Sequence, residues 1–231
     1  MKKLIGTGST RKVFFSGSID LVLNNIKTTL NVCEKIPVTT RFDNRQKNIH
    51  FGKLQNKNEY NKNLDSHRIL TKIDRDEYVI NKRGILTPIF EYNNNKIKTL
   101  MVEPYITNNN MQDEMDCRMS MALKTELFHN IEISDFHEAA MEYEIKKENK
   151  NFIISNKSKY IFENHYIGIS LKDMIEKSYI SGYDITDANW GIFTNPHDGR
   201  DFPVLLDYGM TNKELTLLSK LKEELHQESR N

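Results

Sequence analysis

The chain has 231 residues, with 33 Lys+Arg against 32 Asp+Glu and a formal net charge of +1. So balanced a charge removes any global pull toward nucleic acid or an acidic membrane surface, and no apolar run nears the roughly 20 residues that a spanning helix needs. Charged residues at 28% and apolar ones at 38% suit a folded domain rather than a disordered one. Two cysteines, Cys33 and Cys117, are too few for a disulfide framework and fit reduced thiols in a cytoplasm. Runs such as Asn93-Asn94-Asn95 and Asn108-Asn109-Asn110 point to an AT-rich bacterial or viral genome and carry no chemistry.

The first third reads as β structure. Leu4-Ile5 leads into Gly6-Thr7-Gly8-Ser9, Val13-Phe14-Phe15 follows, and a Ser-Gly-Ser turn comes next. Leu21-Val22-Leu23 and Leu30 to Ile36 are further strands, the second stopped by Pro37. Residues 53–71 are polar with apolar positions at helical spacing, which predicts one exposed helix. A hairpin follows: Ile89 to Tyr92 turns through three asparagines into Thr99 to Glu103, and Pro104 ends it.

From there the pattern becomes helical. Residues 112–128 and 134–146 carry apolar residues at helical spacing, and Met111, Met115, Met119 and Met121 read as core. Residues 170–180 are expected to start at Ser170 as N-cap, with Asp173 as its reciprocal acid. Gly182-Tyr183-Asp184 opens a loop, and short strands at 191–193 and 204–206 flank the turn Asn195 to Gly199. The tail from Asn212 is a last helix with Leu215, Leu218, Leu221 and Leu225 on one side. Strands first and helices second predict an α+β fold of two lobes: a five-stranded lobe with one helix over 1–106, then a reduced helical lobe over 107–231.

Three segments carry possible chemistry. In Gly6-Thr7-Gly8-Ser9 two glycines let backbone amides approach phosphate oxygens without a Cβ in the way, although an ordinary hairpin turn would look the same. In Asp184-Ile185-Thr186-Asp187-Ala188-Asn189, a loop aspartate can orient an attacking hydroxyl while an asparagine five residues on ligates magnesium; helix capping is the plain competitor. In Leu205-Leu206-Asp207-Tyr208-Gly209, an acid ends an apolar strand, placed to hold a hard cation before the backbone turns. A strand–turn–strand separates Asn189 from Asp207, so both can meet at one metal. The histidines, among them His129, His137, His165 and His197, have no metal-ligand spacing, and no nucleic-acid motif stands out.

In that order these segments resemble the signatures of the protein-kinase superfamily across nearly the whole chain. The resemblance implies that ATP and Mg2+ are the cofactors. It implies that Gly6, Thr7, Gly8, Ser9 and Val13 cover the phosphates, and that Lys35 contacts them while pairing with Glu59. It implies that Asp184 orients the substrate hydroxyl, that Asn189 and Asp207 hold magnesium, and that Met101 or Val102, Glu103 and Tyr105 line the adenine pocket. Lys27 competes with Lys35 for the strand position, and Asp65, expected on the same helix, competes with Glu59.

The departures are specific. Arg11 stands where the third glycine would be, Gly182 where a histidine would be, and Thr186 where a lysine would be. About two dozen residues follow Gly209, too few for an activation segment. Small proteins of this kind look most like kinase-like proteins of tailed bacteriophages. The implied activity is a phosphotransferase acting on a protein Ser or Thr. A small-molecule kinase resembling antibiotic phosphotransferases and a pseudokinase serving as a nucleotide-binding module are the alternatives.

Overall fold

The computed structural model describes residues 2–7, 10–37, 45–61, 65–104, 131–186, 189–217 and 219–220, with backbone only at 45–50 and 65. The expected helix at 112–128, the methionines on it, and Gly8, Ser9 and Tyr105 lie outside these residues. The fold is mixed α+β, strands preceding helices in the chain.

The strands between Leu4 and Leu100 build a seven-stranded sheet rather than five strands. Its strands are β1 (Leu4–Thr7), β2 (Arg11–Leu23), β3 (Ile26–Pro37), β4 (Leu70–Asp74), β5 (Glu77–Ile80), β6 (Ile89–Asn93) and β7 (Lys96–Leu100). They run in the order β4-β5-β2-β3-β7-β6, with β1 also paired to β2. Two hairpins, β2–β3 and β6–β7, turn through asparagine pairs in the left-handed region: Asn24 and Asn25 at φ 49° and 67°, Asn94 and Asn95 at 50° and 60°. Two successive positive-φ residues match the right-handed twist of the flanking strands, and asparagine tolerates that conformation better than other side chains.

The Ser-Gly-Ser segment is not a turn. It is a bulge inside one long strand, between Phe15 and Ser18, and Gly17 there has φ 94°. The β2–β3 pairing extends from Arg11↔Pro37 to Leu23↔Ile26 with a one-residue register shift at the bulge, and it puts Lys35 opposite Val13 and Lys27 opposite Val22. Alternation along β2 and β3 buries Leu21, Leu23, Leu30 and Val32 on one face.

The helix expected over 53–71 is α1 (Arg45–Asn61), which starts eight residues earlier and stops ten earlier. A 3-10 turn at Asp65–His67 and the β4–β5 hairpin take the remainder, so Asp65 is not on the helix of Glu59. Apolar spacing misplaces α1 because most of its buried side chains are polar: Gln55, Asn56 and Glu59 beside Phe51.

The helical part contains α2 (Ile133–Glu148), α3 (Asn156–Asn164) and α4 (Tyr166–Glu176). The segment expected at 170–180 is α4, which begins four residues sooner. His165 caps it, its ring Nδ1 accepting from Ile167 N at 3.2 Å. Ser170 is mid-helix and buried, and Asp173 bonds His67 and Lys177 instead of closing a capping box. A second, three-stranded sheet joins β8 (Glu103–Pro104), β9 (Trp190–Thr194) and β10 (Asp201–Leu205) in the order β10-β9-β8. No helix among the described residues is long and apolar enough to cross a membrane.

The two cores interlock rather than part at residue 106. Ile85 and Leu86 pack with Phe136, Leu171, Met174 and Trp190, whereas Phe193, Phe202 and Val204 pack with Leu23, Ile69 and Leu100 of the first sheet. The β9–β10 hairpin thus touches both cores; Asn189 directly precedes it and Asp207 follows it by two residues.

Candidate functional site

The site forms where α1 meets the ends of β2, β3 and β10. Lys35 is 6% exposed and Glu59 0%. Lys35 Nζ donates to Glu59 Oε2 at 3.0 Å and to the carbonyl of Leu206. Its ammonium lies 5.8 Å from the centroid of the Tyr208 ring. Lys27 sits at the far end of β3 beside the hairpin turn and is exposed, so the register assigns the buried ion pair to Lys35.

Arg11 forms the other half of the cluster and is buried as deeply as Lys35. One terminal nitrogen, Nη1, is 2.6 Å from Glu59 Oε1 and donates to Asn56 Oδ1 at 2.9 Å; the other, Nη2, is 2.7 Å from Asp207 Oδ1. Glu59 Oε1 makes no aligned hydrogen bond and is met by charge alone. Gln55 Nε2 donates to the same Asp207 oxygen, and its Oε1 accepts from Thr10 Oγ1 at 2.7 Å. Burial opposes a charged Asp207, but Arg11 and Lys35 outweigh it and hold the carboxyl below its ordinary range. Burial likewise opposes the charge on Arg11, and Asp207 and Glu59 reverse that effect.

The Asp207-Tyr208-Gly209 turn docks directly on α1. A Cβ on Gly209 would lie 2.6 Å from the carbonyl oxygen of Gln55, so only glycine fits. Asn58 Nδ2 donates to Gly209 O at 3.2 Å and to Glu214 Oε1 at 2.7 Å. Tyr208 is buried, and its hydroxyl donates to Thr87 O at 2.8 Å. Asn56 Nδ2 reaches the carbonyls of Lys35 (3.1 Å) and Asn95 (2.6 Å), which ties α1 to β3 and the β6–β7 turn.

Asp184 arrives from the opposite side, on a 3-10 turn spanning Gly182–Asp184. Gly182 packs against α2 so closely that a Cβ would lie 2.1 Å from Ala140 O, and its N–H donates to buried Glu144 Oε2 at 3.0 Å. That contact explains glycine at this position: a histidine side chain has no room. Asn189 Nδ2 donates to the backbone oxygen of Asp184 at 2.6 Å, and Leu206 N donates to Asn189 O at 2.7 Å. Trp190, wholly buried beside Asn189, anchors the loop in the helical core. Asp184 Oδ2 is buried without a hydrogen-bond partner. Burial, reinforced by Asp207 and Glu59 and only partly offset by Arg11 and Asn189, pushes its carboxyl up to about 8.

Of the residues the sequence singles out, Lys35, Glu59, Asp207, Asp184 and Asn189 come together through these contacts. Gly6 and Thr7 end β1, with Gly6 opposite Val13 on β2, so the glycine segment does join two antiparallel strands. Met101, just past β7, is 36% exposed and lines no interior, while Val102 packs on the sheet core. Glu103 pairs with Ile192 in β8–β9. Arg11 does not point to an open phosphate position; it is closed onto two carboxylates. Gln55, Asn56 and Glu144 are site residues that sequence reasoning missed. Glu144 had a legible signal, because it continues the four-residue stripe of Phe136 and Ala140 on α2, where an acid is out of place.

The donor set suits a hard cation. Asp207 keeps its second carboxylate oxygen clear of Arg11 and Gln55, Asn189 has its amide oxygen, and Asp184 supplies an orphaned carboxyl oxygen. Among the described residues no group of three or more His, Cys, Asp or Glu is placed to hold a metal by itself, so a cation here would need further ligands besides these side chains. No protein-family model, curated protein or solved structure matches this chain.

Proposed function

We propose that this protein is an ATP- and magnesium-dependent phosphotransferase with a protein-kinase-like arrangement, transferring the γ-phosphate to an alcohol, taken as a Ser or Thr of a protein. One observation carries the reading: the buried Lys35–Glu59 ion pair joins a strand to a helix and bonds the carbonyl beside Asp207, across 171 residues of sequence. The topology supports it, since β1 and β2 pair antiparallel around the glycine segment, β3 carries Lys35, and α1 with Glu59 follows β3.

In this reading Lys35 holds the α- and β-phosphates, kept in place by Glu59. Asn189 and Asp207 would hold the magnesium, which neutralises charge on the β- and γ-phosphates when bound. Asp184 lies where it can align the acceptor hydroxyl and take its proton as the oxygen bonds to the γ-phosphorus and the bond to the ADP oxygen breaks. Its carboxyl is held neutral by burial and by Asp207, so it becomes a proton acceptor only once positive charge compensates Asp207. Thr186 supplies no cation at the position of the usual lysine, so Lys35 carries the electrostatic stabilisation on the protein's side.

A second reading, a nucleotide-binding module without transfer, is favoured by the closure of Arg11 on Asp207. Incubation with γ-labelled ATP and magnesium, beside Asp184→Asn, separates the two. Transfer to protein in a host lysate that vanishes in the variant, with nucleotide binding retained, supports the kinase. Nucleotide binding without label in the wild type supports the module. Equal turnover in Asp184→Asn would remove Asp184 from the mechanism.

A further inference from the structure

Arg11 is the largest charged group in the site for which the proposed phosphoryl transfer has no use. It is 4% exposed and bridges Glu59 to Asp207 at 2.6 and 2.7 Å. The cluster is electrically closed: the cations Arg11 and Lys35 face the carboxylates Glu59 and Asp207 at 2.6–3.0 Å. A divalent ion approaching Asp207 by itself therefore meets no net negative charge, and it meets a guanidinium already bonded to its ligand. At the low effective dielectric of a buried site, a unit charge within a few ångströms of a divalent ion changes its affinity by orders of magnitude.

We infer that Arg11 is an internal counter-cation for Asp207 that excludes a free divalent metal ion and restricts the site to metal arriving with a polyphosphate. This rests on the nucleotide-site reading above and adds a residue that selects the form in which metal enters. The reason is charge balance. A nucleoside triphosphate brings anionic ligands of its own, so its metal arrives already coordinated and its phosphates can take the place of Asp207 on Arg11, whereas the bare ion must displace the guanidinium from Asp207 unaided. Arginine suits the role because its planar fork spans two carboxylates at once and its charge persists at any accessible pH. Asn56, which accepts from Arg11 and donates to the Lys35 carbonyl, keeps the fork in the cluster when no ligand is present.

The test is uptake of Mn2+ alone, followed by electron paramagnetic resonance of the free ion, for the full chain and for Arg11→Gln and Arg11→Lys. The wild type should take up Mn2+ weakly without nucleotide. Arg11→Gln, with one positive charge fewer, should bind it at least about tenfold more tightly. Arg11→Lys keeps the charge and should stay near wild type. Asp207→Asn in the Arg11→Gln background should erase the gain. Mn2+ binding that is equal or weaker in Arg11→Gln, with a non-hydrolysable ATP analogue still bound by both proteins, overturns the inference and makes Arg11 a clamp that orients Asp207; the nucleotide reading then survives. If neither protein binds the analogue, the nucleotide reading fails and takes the inference with it. Should Arg11→Gln not fold, the wild type decides: uptake only with the analogue supports the inference, and tight uptake of Mn2+ by itself overturns it.

Discussion

The α1 side of the site and the Asp184 loop face the same problem, charge taken out of water, and answer it differently. On α1, two carboxylates are matched by two cations at 2.6–3.0 Å, and amides from Gln55 and Asn56 fill further hydrogen-bonding positions. On the loop, Asp184 has no cation within bonding distance among the described residues, one of its oxygens is orphaned, and its carboxyl stays protonated well above the usual range. The first region is balanced by opposite charge, although Glu59 Oε1 lacks an aligned hydrogen bond. The second is held by backbone and packing, through Gly182 on α2 and Trp190 in the core, and leaves its acid uncompensated. A group kept in an unfavourable state by its surroundings is the mark of a residue retained for chemistry rather than stability.

Three substitutions would sharpen or break that contrast. The largest effect belongs to Glu59→Ala, which leaves Arg11 and Lys35 as buried cations sharing only Asp207. It should cost about 3–5 kcal/mol, or about 10 °C of melting temperature for a chain of this size. A loss under about 1 kcal/mol in chemical denaturation would mean the cluster is hydrated and its pairs are weak. Gly182→Ala comes next. Its methyl group collides with backbone on α2, not with a flexible side chain, and should destabilise by about 2–3 kcal/mol and displace Asp184. Thermal unfolding measures the first consequence, and the amide exchange rate of Asp184 measures the second.

The third effect is the most diagnostic because its sign is opposite. The Asp184 carboxyl titrates near 8 when folded against an ordinary 3.8, so the folded state holds a proton that the unfolded state has released. Stability from this group therefore falls as pH rises between those values and is lowest above the folded one. Asp184→Asn should leave stability near wild type at pH 4 and raise the melting temperature at pH 8 by a few degrees. A variant equally or less stable than wild type at pH 8 would show that Asp184 is compensated, and the contrast between the two regions would fall.

The parts of the site legible in sequence were those written in local chemistry. Asp184 and Asn189 stand five apart in a polar loop, and Asp207-Tyr208-Gly209 follows an apolar strand; the structure has Asp184 on a 3-10 turn and Asp207 just after β10. Glu59 was named on a helix whose limits were misjudged, because α1 faces the sheet with Gln55, Asn56 and Glu59, and a polar interface leaves no hydrophobic period to read. The β4–β5 hairpin was hidden for a related reason. Its residues Leu70 to Ile80 are largely exposed or half-buried, and only pairing with β2 at Val22 and Leu23 gives them a place in the sheet.

Sequence by itself determined the order of strands before helices, the asparagine hairpin at 93–96, the buried anchor at Trp190 and the identity of the acids, since each depends on neighbours a few residues away. Tertiary structure decided that Lys35 rather than Lys27 meets Glu59, because α1 docks on the end of β3 that carries Lys35, while Lys27 lies beside the hairpin turn at the other end. It also decided the direction of Arg11. A guanidinium next to a glycine turn can reach phosphate or turn inward, and only the arrival of Asp207 from 196 residues away, beside Glu59 on α1, makes the inward position the one with two opposite charges at hydrogen-bond distance.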